Sequence, residues 1–287
     1  MADFPTSRYP SSAETYEYIP EQWSANVILA VKSNLVCANL VNRQYEDDLS
    51  VGDVVHIPVG SSLTSGHVDI TSDFGGNANT NFGATAESIT IDKWDEVPVQ
   101  IDDGTKRQTH VRNLVSILAD RAGYELAKAI DTDVNSLFAS LTSTWAGSDG
   151  QAFTDDLMIA LMEGLDEADV PREGRSLVID PSTVADIYKI DKFVHRDYGA
   201  GAVAQTGNIG RIYGVPVYVT NNLSAYSTGS YGALIHRDAI GLVIQSKPTV
   251  ENIRWGQRHS DVINISAIWG SDVIRSTFGA YFYTRSA

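Results

Sequence analysis

Residues 111–141 read VRNLVSILADRAGYELAKAIDTDVNSLFASL, and this stretch decides the fold. No proline interrupts it, and apolar side chains recur at gaps of three and four, the spacing of one buried helix face. These side chains are Val111, Leu114, Val115, Leu118, Ala122, Leu126, Ala129, Ile130, Val134, Leu137, Phe138 and Leu141. The pattern predicts one long helix, which we call the spine helix. Its other face is expected to meet water or a polar neighbour, and carries Arg112, Asn113, Ser116, Asp120, Lys128, Asp131 and Asn135. The stripe is too irregular for a free coiled coil.

Composition narrows the class of protein. The chain has 287 residues and a formal net charge of −15, which argues against tight general binding to nucleic acid because neutralising phosphates needs clustered Lys and Arg. Cys37 is the only cysteine, which excludes an intrachain disulfide and a cysteine-based zinc site. We find neither a signal peptide nor an apolar run of membrane-spanning length, and we expect a protein made in the cytosol.

The N-terminal residues 1–19 combine prolines with Tyr9, Tyr16 and Tyr18 and show no period. They read either as a frayed terminus or as an arm that packs on another surface, and the tyrosines favour the arm because aromatic rings with polar tips suit interfaces. A short helix is predicted from Pro20 to about Ser33, and a strand over residues 35–41.

Alternating apolar residues next predict the legs of a long hairpin. The alternating sets are Val55, Ile57 and Val59, then Ile89 and Ile91, then Val97, Val99 and Ile101. The intervening loop is rich in Gly, Ser, Thr and Asn but carries Phe74 and Phe82. A structureless loop of this length is usually functional, and exposed strand edges need a cover, so we expect another subunit to contact it.

The second half predicts shorter elements. Thr154 is placed to cap a helix whose buried face carries Leu157, Leu161 and Leu165, and Asp180-Pro181 opens another. Strands are predicted at 177–179, 215–219, 233–235, 242–244, 262–268, 273–274 and 278–283.

No catalytic constellation is found. Gly199, Gly201 and Ala204 match the letters of a dinucleotide-binding pattern, but polar residues precede them and Asn221-Asn222 stand where an acid is needed, so a surface loop is favoured. The histidines lack zinc-ligand spacing. The acids Asp102-Asp103 and Glu46-Asp47-Asp48 fit solvated turns or salt bridges better than a cation site. We expect no enzyme activity, no cofactor and no metal.

Lys106, Arg107, His110 and Arg112 form the one dense basic cluster of the sequence, at the start of the spine helix, where positive charge opposes the helix dipole. It reads either as a solvated face or, as we prefer, as a contact to acids of a neighbouring subunit. The hypothesised subunit interface therefore comprises Tyr9, Tyr16, Tyr18, Phe74, Phe82, Lys106, Arg107, Glu46, Asp47 and Asp48.

The order of elements resembles the major capsid proteins of tailed phages with the Hong Kong 97 fold. The most specific local matches are Leu177-Val-Ile-Asp-Pro-Ser182, Gly210-Arg-Ile-Tyr-Gly-Val-Pro-Val217 with Asn221-Asn222-Leu223, His236-Arg-Asp-Ala-Ile-Gly241 and Trp269-Gly-Ser-Asp-Val-Ile-Arg275. The resemblance implies an α+β fold: an N-terminal arm and short helix (1–36), an extended E-loop hairpin with flanking strands (37–101), the spine helix of a peripheral or P-domain (102–150), a central A-domain (151–247) and a return to the P-domain (248–287).

The function this resemblance implies is structural. Subunits would form the pentamers and hexamers of an icosahedral shell around double-stranded DNA, with no sequence-specific DNA binding and no membrane. The implied partners are a portal protein and a separate scaffolding protein, since no large segment precedes the arm. The resemblance also allows a cement or decoration protein. No lysine lies between Arg43 and Lys93, which bears on the family's covalent cross-links. Two alternatives remain: an encapsulin-type cage around cargo enzymes, and a nucleotide-binding enzyme using the Gly199 loop.

Overall fold

The spine helix is present and organises the larger of two adjoining cores. The computed structural model describes residues 35–46, 52–60, 84–104, 114–143, 147–190, 192 and 210–285. Helix α1 is α-helical over Leu114–Ser136 and continues as a 3-10 turn over Leu137–Ser140. The prediction of one helix is confirmed, although its last turn tightens and residues 111–113 lie outside the described residues.

Two further helices and eleven strands complete the described part. The helices are α2 (Asp155–Glu167) and α3 (Pro181–Ile187). The strands are β1 (Val54–Gly60), β2 (Ala84–Thr90), β3 (Lys93–Asp102), β4 (Arg175–Ile179), β5 (Arg211–Ile212), β6 (Val215–Val219), β7 (Ala225–Tyr226), β8 (Gly229–His236), β9 (Ile240–Trp255), β10 (Ser260–Val273) and β11 (Gly279–Tyr283).

The strands form three sheets. β1 and β2 pair with each other alone, and β3, β10 and β9 form a three-stranded antiparallel sheet. The third sheet has the order β11-β8-β4-β6-β5, with β7 paired to β8, and its β4–β6 pairing is parallel. The mixture of helices with largely antiparallel sheets confirms the α+β class.

Two cores lie against the larger sheets, and the six-stranded sheet contributes to both, with Val178, Ala233 and Ile235 in the first. The apolar stripe of α1 packs on the three-stranded sheet, with Leu126, Ile130 and Val134 buried together with Ile263, Ile265 and Trp269 of β10. The second core joins α2 to the six-stranded sheet through Met158, Leu161, Leu165, Leu177, Ile179 and Phe282.

Local signals located the helices of the second core correctly. The Thr154 hydroxyl accepts the backbone N–H of Leu157 at 3.3 Å and caps α2. The Asp180 carboxylate accepts the N–H of Thr183 at 3.0 Å and caps α3, whose first residue is Pro181. Both caps and the buried strand at 177–179 are confirmed.

Two predictions were wrong, and the bounds of three predicted strands change. Residues 35–41 form no strand but a 3-10 turn at Cys37–Asn39, because the carboxylate of Asp131 binds their backbone N–H groups. The set Val97–Ile101 is no hairpin leg, since β3 pairs with β10. The strand predicted at 242–244 continues to Trp255, and those at 262–268 and 273–274 are one strand. The predicted helix from Pro20 lies outside the described residues, as does the glycine-rich loop up to residue 209.

Candidate subunit-contact surfaces

Most of the predicted interface lies outside the described residues. The members concerned are Tyr9, Tyr16, Tyr18, Asp47, Asp48, Phe74, Phe82, Lys106 and Arg107. Glu46 is described, and its carboxylate accepts the Nε–H of Arg43 at 2.6 Å. That contact is a salt bridge within one chain, as expected for the acid-rich turn.

The described part of the hairpin is a ribbon of two antiparallel strands, β1 and β2. Its register runs from Val54 opposite Thr90 to Gly60 opposite Ala84. A two-stranded ribbon buries little surface of its own and is marginally stable in water. Its stability must therefore come from its root or from contacts that its own strands do not supply.

A small third core holds the root. Val55, Ile57 and Ile89 from the hairpin pack against Val243 and Ile274. These side chains are almost fully buried, and burying one aliphatic side chain contributes about 1.5–3 kcal/mol.

Two glycines make this close packing possible. A Cβ atom on Gly241 would lie 2.5 Å from Cδ1 of Ile89, and one on Gly270 would lie 2.2 Å from the carbonyl oxygen of Thr90. A side chain at Gly270 would push the hairpin backbone away from the sheet, whereas one at Gly241 would force the ends of the Ile89 and Ile274 side chains to move. The root is thus seated directly on the backbone of β9 and β10.

A charged cluster joins the foot of the hairpin to the spine helix. The ammonium of Lys93 lies 2.7 Å from Oδ1 of Asp133, while Oδ2 accepts the hydroxyl of Ser271 at 2.6 Å and the indole N–H of Trp269 at 3.4 Å. One carboxylate on α1 therefore binds both β3 and β10.

A second carboxylate of α1 fastens the chain where it leaves the N-terminal segment. Asp131 is fully buried, and its two oxygens accept the backbone N–H groups of Val36 at 2.8 Å and Ala38 at 3.0 Å. Burial raises the pKa of Asp131, and these hydrogen bonds oppose the rise. Burial also raises the pKa of the neighbouring Cys37 thiol, which keeps this thiol protonated and inert. The polar face of α1 thus receives the end of the N-terminal segment here instead of water.

The outer face of the three-stranded sheet exposes apolar side chains that sequence reasoning missed. Trp94 on β3 is 72% exposed and Ile253 on β9 is 51% exposed. Trp94 lies opposite Ile268 and Ile253 opposite Val262, so both share the face turned away from α1. The sequence indicated this exposure, because Trp94 does not fall on the alternating positions of Val97, Val99 and Ile101, whose side chains face the core.

The turn between β9 and β10 is held in one arrangement by charge. The guanidinium of Arg254 binds both carboxylate oxygens of Asp103, at 2.8 and 2.6 Å, and Asp261 at 2.7 Å. Next to it, the guanidinium of Arg258 lies 4.5 Å from the ring centroid of the half-exposed Trp255. The end of the sheet therefore presents a fixed aromatic and cationic surface.

An open groove of about 670 Å³ runs along α2. It is lined by Ile159, Met162, Glu163, Asp166, Glu167 and Tyr213. Tyr213 has φ 49° in the turn before Gly214, and its hydroxyl donates to Oδ1 of Asp155 at 2.6 Å. Hydrogen bonds from Lys192 and Tyr213 lower the pKa of Asp155. The groove joins apolar and acidic side chains at the surface.

A metal site would need several His, Cys, Asp or Glu side chains close together among the described residues. No group of three His, Cys, Asp or Glu side chains among them is placed to hold a metal ion. Asp103 belongs to the ion pairs with Arg254. Within the described part of the chain, no helix is long and apolar enough to cross a membrane.

Comparison with protein families gives one match. The model of the phage capsid protein family matches residues 82–281. These residues run from the end of the hairpin through the spine helix to the last strand. No match was found among curated protein sequences.

Comparison with solved structures gives similar folds over most of the chain. A structure from Mycobacterium phage Che8 is 25% identical, with a TM-score of 0.73 over 86% of this chain and 90% of the other. The capsid of Ralstonia phage GP4 is 13% identical, with a TM-score of 0.67 over 86% and 87%. A virus-like particle from Pyrococcus furiosus is 12% identical, with a TM-score of 0.58 over 91% and 98%.

Proposed function

The chain belongs to the phage capsid protein family, and we propose from that premise how one subunit contacts the next in the shell. It is a major capsid protein with the Hong Kong 97 fold, a structural component of a phage virion that assembles with copies of itself into an icosahedral shell. In the proposal, these copies form pentamers and hexamers that enclose double-stranded DNA. The role is mechanical, and no catalysis is assigned to it.

The observation that carries the contact proposal is the two-stranded hairpin. Its root is seated in the core around Ile89, while its strands leave as a pair, and no third strand among the described residues pairs with them. Exposed strand edges in a stable protein are usually covered or paired. A neighbouring subunit supplies the cover, and Phe74 and Phe82 anchor the hairpin tip on it.

The outer face of the three-stranded sheet is the proposed receiving surface for the neighbour's hairpin. Trp94 and Ile253 are exposed apolar side chains on that face, opposite Ile268 and Val262 of β10 respectively. A large aromatic side chain that is buried only on assembly is the kind of anchor that dominates interface energies. Truncating such an anchor costs on the order of 2 kcal/mol or more per contact, which is multiplied over the many copies in a shell.

Electrostatic contacts complete the interface. Lys106 and Arg107 pair with Glu46, Asp47 and Asp48 of a neighbour. The N-terminal arm, with Tyr9, Tyr16 and Tyr18, lies across an adjacent subunit after leaving the anchor at Asp131. Support for the arm comes from that anchor, since Asp131 fixes the point from which residues 1–34 depart.

The proposed roles of the chain segments follow the domain bounds predicted from the sequence. Residues 1–36 form the arm and short helix, 37–101 the E-loop region, 102–150 and 248–287 the P-domain, and 151–247 the A-domain. The presence of two adjoining cores supports two domains, although the last strand β11 contributes Ala280 and Phe282 to the second core. A separate scaffolding protein directs assembly in the host cytoplasm, a portal protein occupies one vertex, and a cement or decoration protein reinforces the mature shell.

Point variants test the hairpin contact. Replacing Phe74 and Phe82 together by serine should abolish shells and leave the subunit's melting temperature unchanged, because both side chains act only across the boundary. The control replaces Asn77 and Asn81 by serine in the same loop and should assemble normally. Normal shells from the double phenylalanine variant would refute the proposed anchor.

Charge reversal tests the ionic contact. Lys106→Glu with Arg107→Glu should weaken assembly, and Asp47→Lys with Asp48→Lys in the same chain should restore it, because the pair is reconstituted with opposite signs. A large loss of melting temperature in the unassembled Lys106→Glu, Arg107→Glu subunit would instead place the ion pair inside one subunit.

A further inference from the structure

Four tyrosines meet at the edge of the six-stranded sheet. Tyr226 ends β7, Tyr231 lies on β8, and Tyr281 and Tyr283 lie on β11. Tyr231 and Tyr283 are directly opposite each other in the β8–β11 ladder. The β7–β8 turn then brings Tyr226 over the same place. Three strands thus bring phenol rings from distant parts of the chain together.

The four rings contact one another, with distances between ring centroids from 4.6 to 5.9 Å. The rings of Tyr226 and Tyr283 are stacked, with centroids 4.6 Å apart and planes at 28°. Tyr231 lies 5.1 Å from Tyr226 and 5.4 Å from Tyr283, both tilted. Tyr281 lies 5.8 Å from Tyr231 and 5.9 Å from Tyr283, both edge-on. The pair Tyr226–Tyr283 is therefore the closest and the most nearly parallel.

The hydroxyl groups converge on the same residue. The side chain of Tyr283 interacts with those of Tyr226, Tyr231 and Tyr281 and contributes to raising the pKa of each of these three phenols. Hydrogen bonding to Tyr283 is the main cause of the raised pKa of Tyr226, while burial is the main cause of the raised pKa of Tyr231 and Tyr281. All three therefore remain neutral phenols at neutral pH.

Such an arrangement is prepared for one reaction of phenols, their oxidative coupling. Holding two reactive groups in contact replaces a bimolecular encounter by an intramolecular step, which can favour it by a factor of 10⁵ or more. The stack is also reachable, because Tyr226 is 38% exposed. A small oxidant can therefore meet Tyr226 without unfolding of the chain.

We propose that the Tyr226–Tyr283 stack is a site of oxidative modification, at which a one-electron oxidant forms an intrachain dityrosine bond. Each phenol gives one electron to the oxidant and its hydroxyl proton to water, which leaves two phenoxyl radicals. The radicals combine through one Cε atom of each ring. The hydrogen on each joined carbon then moves to the oxygen of its own ring, so that two phenols are restored. The product has lost two electrons and two protons, and the oxidant has gained both electrons.

The bond would lock the end of the chain. β11 is held to β8 by backbone pairing, and Thr284 continues this contact by donating its backbone N–H to Ser230 at 2.9 Å. A covalent link from Tyr226 to Tyr283 would add a bridge between the β7–β8 turn and the C-terminal strand. Because both residues belong to one subunit, the link would strengthen the subunit without joining it to its neighbours.

The test exposes the purified full-length chain to photogenerated ruthenium(III) tris-bipyridyl, a one-electron oxidant. The expected product is a chain of monomer mass that has lost two hydrogens, shows dityrosine fluorescence and yields a Tyr226–Tyr283 cross-linked peptide. Tyr283→Phe keeps the ring and should remove the main product, leaving only the smaller yield of Tyr226–Tyr231, whose ring centroids are 5.1 Å apart. Tyr226→Phe should remove the main product and leave only the smaller yield of Tyr231–Tyr283.

Tyr124→Phe is the matched control, since Tyr124 is 46% exposed on α1 and has no ring contact among the described residues. It should couple like the parent chain. An undiminished yield of monomer dityrosine in Tyr283→Phe would overturn the proposal, as would a Tyr226 that couples only to tyrosines of another chain. Neither outcome bears on shell assembly, because the reaction is followed in unassembled subunits.

Discussion

The ammonium of Lys93 lies 2.7 Å from the carboxylate of Asp133, which connects the foot of the hairpin to the spine helix. The same carboxylate binds Ser271 and Trp269 on β10. One side chain of the spine helix therefore binds both β3, which begins shortly after the hairpin, and β10.

Replacing Asp133 by asparagine should destabilise the subunit. The amide keeps the size of the side chain but loses the charge that Lys93 binds and presents a donor where an acceptor is required. We expect a loss of about 1–3 kcal/mol in the free energy of unfolding, the usual cost of leaving buried partners unsatisfied. Chemical denaturation measures it, with Asp120→Asn on the exposed side of α1 as the control. Equal stability of the two variants would contradict the coupling role of Asp133.

The shell should contain no autocatalytic isopeptide cross-links of the type known in this family. That chemistry joins an E-loop lysine to an asparagine of a neighbour, and Lys93 is the only lysine between Arg43 and Lys106. It is bound to Asp133, and about 45 Å of extended chain separates it from the hairpin tip near Asn79. A denaturing gel of boiled mature particles should show the 31.2 kDa chain alone. A ladder of covalent multimers would show the prediction to be wrong.

A methyl group at Gly270 should displace the root of the hairpin. Its Cβ would lie 2.2 Å from the carbonyl oxygen of Thr90, a backbone atom that cannot move alone. Gly270→Ala should cost about 1–3 kcal/mol, the usual penalty of overpacking, and should reduce assembly. Gly256→Ala is the control on the same strand pair, because a Cβ there meets no atom within 4 Å. Unfolding curves and shell yield of the two variants should differ clearly.

Asp166 should make the stability of the second core depend on pH. Hydrogen bonds from Arg175 and Arg172 lower the pKa of Asp166 in the folded state. A carboxyl whose pKa is lowered on folding stabilises the protein above its unfolded pKa, and this contribution disappears as the pH falls through the folded pKa. The melting temperature of the parent should therefore exceed that of Asp166→Asn by a constant amount at neutral pH. The difference should shrink below about pH 4, where aspartate is protonated in the unfolded chain.

The control for this prediction is Glu163→Gln, an exposed acid of the same helix. Its melting temperature should follow that of the parent chain at every pH. A difference between parent and Asp166→Asn that does not change between pH 7 and pH 2 would show that Asp166 acts through its shape rather than its charge.

The helices could be predicted because their signals are local. The period of α1 and the side-chain caps Thr154 and Asp180 lie within a few residues of the elements they define. Capping and periodicity depend on neighbours along the chain, so they are readable from one sequence. The resemblance to the capsid family rested on the order of these elements and is confirmed.

The strand partners could not be predicted because pairing is not local. Val97 and Val99 alternate as hairpin legs do, but their partners Ile265 and Ile263 are far away in the sequence. The 3-10 turn at Cys37–Asn39 was missed for the same reason, since its cap is the distant Asp131. The tyrosine cluster exists only because β7, β8 and β11 meet. A single sequence without aligned relatives gives no signal for such contacts.

The central claim is that this chain forms a shell by seating each hairpin on a neighbour. Electron microscopy of the purified protein, alone and co-expressed with a scaffolding protein from the same phage, tests it most directly. We expect closed icosahedral particles in which the hairpin of one subunit covers Trp94 of the next. A protein that remains monomeric at high concentration under both conditions, or shells in which the face around Trp94 is bare, would contradict it.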